Sequence, residues 1–231
     1  QLEAGQVRLL QVNVSPENAD REKLVWHSSN ESVASIQNGL VETKSEGSAV
    51  ITAETMDGSI KSETQLTVSA SEKDEYDVLR HKWENQITSL DFYDASNERM
   101  KQMVTNQTKT TQALWKNMVK NTDRTFLWHE FSSTDNSADI RSNYRNLTTM
   151  AKTFANEHST LYRNPQLLKD IKDALEWLYQ NQYNESIAQY SNWWNWEIGV
   201  PNELNSIMVL LYDYLDQETI HRYLKVVDHF Q

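Results

Sequence analysis

Apolar and polar positions alternate over short stretches in the first 70 residues, and recur three and four apart through the rest of the chain. A period of two marks strands and one near 3.6 marks helices, so the pattern predicts a β part followed by an α part. Leu10, Val12 and Val14 alternate with polar neighbours ahead of Pro16. Further short strands are expected at Leu24–His27, Ser32–Ile36, Leu40–Thr43, Ala49–Ala53 and Leu66–Val68, with tight turns at Asn38-Gly39 and Asp57-Gly58. Short strands at that spacing predict a small antiparallel sandwich.

From Ser71 the period is helical. Tyr76, Leu79, Trp83, Ile87 and Leu90 fall on one helix face, and Met100, Met103, Gln107, Leu114 and Met118 mark a second, weaker helix. Ile140, Tyr144, Leu147, Ala151 and Phe154 form the sharpest stripe. Asn164-Pro165 is a cap followed by proline in the first turn, and opens a helix carried by Leu168, Ile171, Leu175 and Leu178. Pro201 is expected to open the next, through Leu204, Met208, Leu211 and Leu215; Ile220, Leu224 and Val227 carry the last. Short links make these helices antiparallel neighbours. Four of the five glycines lie before residue 70 and seven of the eight tryptophans after it. The expected organisation is a β domain over 1–70, a polar linker over 71–75 and an all-α domain over 76–231.

The charge balance narrows function. With 22 basic and 33 acidic residues the net charge is −11, which argues against a nucleic-acid binder, since that would show a basic face. No apolar run is long enough for a membrane-spanning helix. The absence of cysteine removes disulfides, thiolate metal sites and cysteine nucleophiles. His27, His81, His129, His158, His221 and His229 show no paired ligand spacing and read as surface or structural residues. There is no phosphate-cradling glycine loop and no nucleophile elbow, and no cofactor or metal is expected. The chain opens on Gln1 with no basic-then-apolar leader, and is read as a processed or excised piece of a longer protein.

The densest feature is Asn192-Trp193-Trp194-Asn195-Trp196-Glu197-Ile198-Gly199-Val200-Pro201. Consecutive side chains cannot all face one way, so at least one of the three indoles is expected at a surface. An exposed indole beside an amide can receive the apolar face of a pyranose while the amide meets its hydroxyls or carboxylate. The competing reading is a core plug between helices, with indole N–H bonds made internally. Glu197 is either a buried general acid or base, or a hydrogen-bond partner for the following helix. Trp83, Trp115, Trp128 and Trp177 are read as core filler between helices, with a groove lining as the alternative.

Two resemblances rest on these residues. Residues 7–69 resemble a bacterial immunoglobulin-like domain of group 2, through Val14-Ser15-Pro16-Glu17-Asn18-Ala19, Trp26-His27-Ser28-Ser29-Asn30, Val33-Ala34-Ser35-Ile36, Asn38-Gly39-Leu40-Val41 and Glu46-Gly47-Ser48-Ala49-Val50-Ile51. Residues 74–231 resemble the start of the α-domain of polysaccharide lyase family 8, through Leu79-Arg80-His81-Lys82-Trp83, Leu127-Trp128, Tyr144-Arg145-Asn146-Leu147, Met150-Ala151 and above all Asn192 to Pro201. The first resemblance implies an exported bacterial protein, secreted or cell-surface associated, and the second an incomplete (α/α) toroid. Its partner would be an anionic, uronic-acid-containing polysaccharide of hyaluronan, chondroitin or xanthan type. It implies substrate positioning by Asn192, Trp193 and Trp194, and cleavage by β-elimination. There an Asn neutralises the uronate while His and Tyr move protons. In the family those three groups lie well beyond this motif, whereas thirty residues follow Pro201, so the chain is expected to supply the aromatic patch and not the catalytic set. The alternatives are a non-catalytic glycan-binding surface adhesin and a toroidal glycoside hydrolase, which would need two carboxylates astride the bond. Residues 1–70 hold 5 basic and 10 acidic residues and the remainder 17 and 23, so a polyanion demands a local basic lining. A partial toroid should also leave an apolar helix edge exposed.

Overall fold

A computed structural model describes residues 2–10, 12, 24–70 and 75–231. The chain divides into two units, Gln1–Glu75 and Tyr76–Gln231. The expected strand residue Val14 and the linker residues 71–74 lie outside the described residues.

The first unit consists of β1 (Leu2–Glu3), β2 (Val7–Leu9), β3 (Leu24–Ser28), β4 (Ala34–Gln37), β5 (Leu40–Thr43), β6 (Gly47–Thr55) and β7 (Lys61–Ser69). They form two sheets, ordered β1-β7-β6-β3 and β2-β5-β4. Pairing is antiparallel except where β1 runs parallel to β7, with Leu2 opposite Val68. Alternating residues of both sheets meet in one core of Val33, Ala34, Val41, Ala49, Ile51 and Val68, against which Trp26, Ile36 and Leu66 pack. The β4–β5 hairpin turns on Asn38 and Gly39, whose φ values of 50° and 83° are both left-handed, as a tight two-residue turn requires. A side chain at Gly39 would also sit 3.3 Å from the Trp26 ring. The turn after β6 is held by Asp57, which accepts from the Thr55 hydroxyl and from the Ser59 hydroxyl and N–H. The expected strands from Leu24 onward are present, several longer than the pattern predicts. Strand β2 ends at Leu9, short of Leu10 and Val12.

The second unit holds α1 (Glu75–Thr88), α2 (Glu98–Asn117), α3 (Ser137–Ala155), α4 (Pro165–Asn181), α5 (Val200–Leu211) and α6 (Gln217–Phe230), and no strand among its described residues. Asparagine side chains cap α2, α3 and α4 through Asn97, Asn136 and Asn164, and Asp216 caps α6. Each accepts from an otherwise unpaired first-turn N–H. The central element is α3, packed against α2, α4 and α5. It buries Ile140, Tyr144, Leu147, Ala151 and Phe154, the expected stripe, together with Met150.

Three expectations fail, each for a physical reason. Trp83 is 51% exposed and not core filler, and Tyr76 and Leu79 are exposed beside it on the same helix; α1 buries only Thr88. Met103 is exposed, although Met118 of the same stripe is buried and Gln107 bonds to Thr153, because the middle of α2 docks through hydroxyls: Thr111 meets Thr153 at 2.6 Å and Thr108 meets Ser159 at 2.9 Å. Such pairs let two helices approach closely with no apolar stripe to betray the contact. Finally, the helix containing Pro201 does not begin there; helical backbone starts at Trp193, with a π-helical turn over Asn195–Gly199.

Candidate functional site

The early start of that helix follows from Asn192. Its Oδ1 accepts the Trp194 N–H at 3.0 Å and its carbonyl accepts the Asn195 N–H at 3.2 Å, an N-cap about two turns ahead of Gly199. Ser137, buried at the start of α3, holds the cap in place. Its hydroxyl donates to the Asn192 carbonyl, and accepts from the Asn192 N–H and from Asn195 Nδ2 at 3.0 Å.

The π turn resolves a conflict created by Pro201. The Val200 N–H bonds to the Asn195 carbonyl, five residues back. The next bond of that ladder would run from residue 201 to the Trp196 carbonyl, but proline has no N–H to give. The Tyr183 hydroxyl donates to that carbonyl instead, at 2.7 Å. Burial pushes the Tyr183 hydroxyl well above its ordinary pKa, so it remains a donor throughout the accessible pH range.

The three indoles divide between both readings of the motif. Trp196 is the plug: it is 1% exposed, donates its Nε1–H to the Tyr190 carbonyl, and packs on Tyr183, Tyr190 and Phe230 with ring centroids 5.1–5.7 Å away. Trp193 and Trp194 are 58% and 37% exposed and form the surface patch. Behind Trp194 stands Arg141 of α3, its guanidinium carbon 5.0 Å from the ring centroid. Gly199 makes this contact possible. Its backbone is ordinary helix, but a Cβ there would lie 2.6 Å from Arg141 Cδ and 2.9 Å from Trp194 Cζ3. Two exposed rings, a cation against one of them and a capped helix start are thus mounted on α3 and on the Trp196 plug.

Asn192 has its Oδ1 engaged as the cap, and its Nδ2 amide is a donor of the kind that suits hydroxyl or carboxylate oxygens. Glu197 is half-buried and accepts from Gln189 Nε2 at 3.2 Å, a residue of the preceding loop and not of the following helix that was expected to be its partner. Trp128 is core, with its indole N–H on the Leu114 carbonyl, while Trp115 and Trp177 are half-buried. His27, His81 and His158 sit beside Glu54, Glu84 and Glu157. Among the described residues no cluster of three His, Asp or Glu could hold a metal ion, and no helix is long and apolar enough to cross a membrane.

The sequence pattern missed Arg141 and Ser137. Arg141 adjoins Ile140 in the buried stripe of α3 with nothing to distinguish it from a solvated arginine. The available signal was Gly199, a glycine inside a helix, where the lost propensity implies that something must approach closely.

Comparison with known proteins bears on this arrangement. Residues 83–231 match the family described as polysaccharide lyase family 8, N-terminal α-helical domain, and residues 1–73 match the bacterial Ig-like domain, group 2. A xanthan lyase of Bacillus sp. (strain GL1) is 33% identical over 162 residues, covering 70% of this chain and 17% of that protein. A polysaccharide lyase 8 family protein of Enterococcus faecalis is 27% identical over 221 residues, covering 93% of this chain and 16% of its own length. Among solved structures, Paenibacillus xanthan lyase superposes with a TM-score of 0.66 at 34% identity, over 68% of this chain and 15% of that one. The Streptomyces coelicolor A3 chondroitin AC lyase in complex with chondroitin sulphate gives 0.62 at 30% identity, over 68% and 21%. The chain therefore spans about a sixth to a fifth of the length of these relatives. With the family pattern running from Trp83 to the last residue, and an Ig-like domain matched ahead of it, the chain belongs to polysaccharide lyase family 8.

Proposed function

We propose that this chain is the substrate-positioning part of a secreted bacterial lyase that cleaves a uronic-acid-containing polysaccharide by β-elimination. In this reading the helical unit begins an (α/α) toroid. Trp193 and Trp194 receive sugar rings, Asn192 Nδ2 donates to a hydroxyl or carboxylate oxygen, and Arg141 supplies the basic lining that a polyanion needs beside a chain of net charge −11. The eliminating Asn, His and Tyr are assigned to residues outside this chain, so the chain binds without cleaving. The observation that carries the reading is the pairing of two exposed indoles with a cation on a rigid mount.

The test is tryptophan fluorescence of the chain titrated with hyaluronan, chondroitin sulfate and xanthan, alongside Trp193→Ala/Trp194→Ala checked for folding by circular dichroism. Saturable binding to at least one polymer is expected, and its loss in the folded double variant, with no unsaturated product released. Binding that survives in the variant would remove the patch from the site. The absence of binding to all three would overturn the reading.

A further inference from the structure

A cavity of about 420 Å³ opens between the end of α2, the loop that follows it and the first half of α4. No residue of the Asn192–Pro201 motif lines it. One wall is the half-buried Trp115, and Lys120, Arg124 and Lys169 border it against Asp170 and Asp173. Three cations facing two carboxylates make a local excess of positive charge in a chain of net charge −11.

The carboxylates are already committed. Asp170, 7% exposed, accepts from Gln166 Nε2 at 2.9 Å and from Trp115 Nε1 at 2.7 Å, which fixes the indole as a wall. Asp173 pairs with Lys169 at 2.5 Å. Lys120 reaches over the indole, 5.4 Å from its centroid and 3.6 Å from Asp170. Arg124 is different: its Nη2 donates to the Asp173 main-chain carbonyl at 2.7 Å, its guanidinium lies 6.0 Å from the Trp177 ring, and Asp173 and Asp170 act on it through space without a direct ion pair among the described residues. A guanidinium held by a carbonyl and an aromatic face keeps its capacity for an external anion. The volume suits a small ring, and indole with amide and charged groups is the lining that sugars require. A second hollow of about 200 Å³, bordered by Lys172, Glu176, Thr219 and Tyr223, shares Asp173 with the first. Two hollows thus flank Asp173 of α4.

We propose that this α2–α4 cavity is a second binding site for an acidic sugar, a carboxylate- or sulfate-bearing unit of a polysaccharide, with its ring against Trp115 and its anion at Arg124 and Lys120. The ligand class follows from the function proposed above; the location is independent of it. Such a site would hold a polymer at a point apart from the aromatic patch and raise the residence time of the chain on it.

Isothermal titration calorimetry of the whole chain with hexasaccharides of hyaluronan and of chondroitin sulfate tests this. Three variants, each checked for folding by circular dichroism, are compared: Trp193→Ala/Trp194→Ala, Lys120→Ala/Arg124→Gln, and Lys120→Gln/Lys169→Gln. Two sites per chain are expected, one removed by the first variant and the other weakened about tenfold or more by each of the others. A hyaluronan response assigns the carboxylate as the anion, and a response to chondroitin sulfate alone assigns the sulfate. A single site abolished by the tryptophan variant and unchanged by both cation variants would overturn the inference and leave the proposed function standing. A single site lost only in the cation variants would do the reverse. No binding in any arm would remove both, and inorganic sulfate competing as tightly as a hexasaccharide would reduce the cavity to a simple anion pocket.

Discussion

Gly199 matters for the atoms it lacks. Its φ of −65° suits any residue, so an alanine there would improve helix propensity by about 1 kcal/mol while driving a methyl group into Arg141 and Trp194. Both neighbours are side chains on the surface side of the helix, and they can yield. Gly199→Ala should therefore leave the thermal midpoint within a few degrees of the parent. Polysaccharide affinity should fall several-fold, and fluorescence titration beside a melting curve separates the two effects. A large loss of stability with intact binding would contradict this account. In the β unit, Asp57 offers a residue-scale test in pH. Hydrogen bonds from Thr55 and Ser59 lower its pKa from 3.8 to about 2, so the folded form favours the charged carboxylate. That contribution is complete above the unfolded pKa and is lost as pH falls from about 4 through 2. Asp57→Asn should lower the urea midpoint of the β unit at pH 6, and the gap to the parent should close by pH 2.

At the scale of elements, the π turn explains why the motif was only half legible. Three indoles in four positions announced a patch or a plug, and the structure contains both. Which ring goes where depends on the missing N–H of Pro201 and on a hydroxyl from Tyr183, thirteen residues before the carbonyl it satisfies. No local pattern carries that information. Tyr183→Phe would leave the buried Trp196 carbonyl without its donor and should cost about 1–3 kcal/mol in chemical unfolding of the helical unit. A cost under about 0.5 kcal/mol would mean that another donor takes over. Helix α2 teaches the complementary lesson. Its methionines suggested a weak stripe, yet Thr108 and Thr111 make the contacts, because hydrogen-bonded hydroxyls can replace apolar burial at a close helix crossing. The stripe of α3 was legible because its five apolar positions recur three and four apart, whereas the polar residues it also buries, Ser137, Asn143, Thr148 and Thr153, carried no such signal.

For the whole molecule, the division into β and α parts was written in the opposite distributions of glycine, which tight turns need, and tryptophan, which marks the helical part although only Trp128 and Trp196 of its seven are buried. What lay beyond reach was long-range. The two-residue strand β1 has no pattern of its own, and exists because Leu2 and Glu3 find Val68 and Ser69 across almost the whole β unit. That pairing has a mechanical consequence. Because β1 and β7 run parallel, tension applied to the chain at the start of β1 and the end of β7 pulls the two strands in opposite directions along their length. Their hydrogen bonds, with that from the Ala4 N–H to the Ser69 carbonyl, then bear the load together and do not open one at a time like a zip. Pulled through these two strands the β unit is loaded in shear, so that several bonds must break at once before the chain can extend.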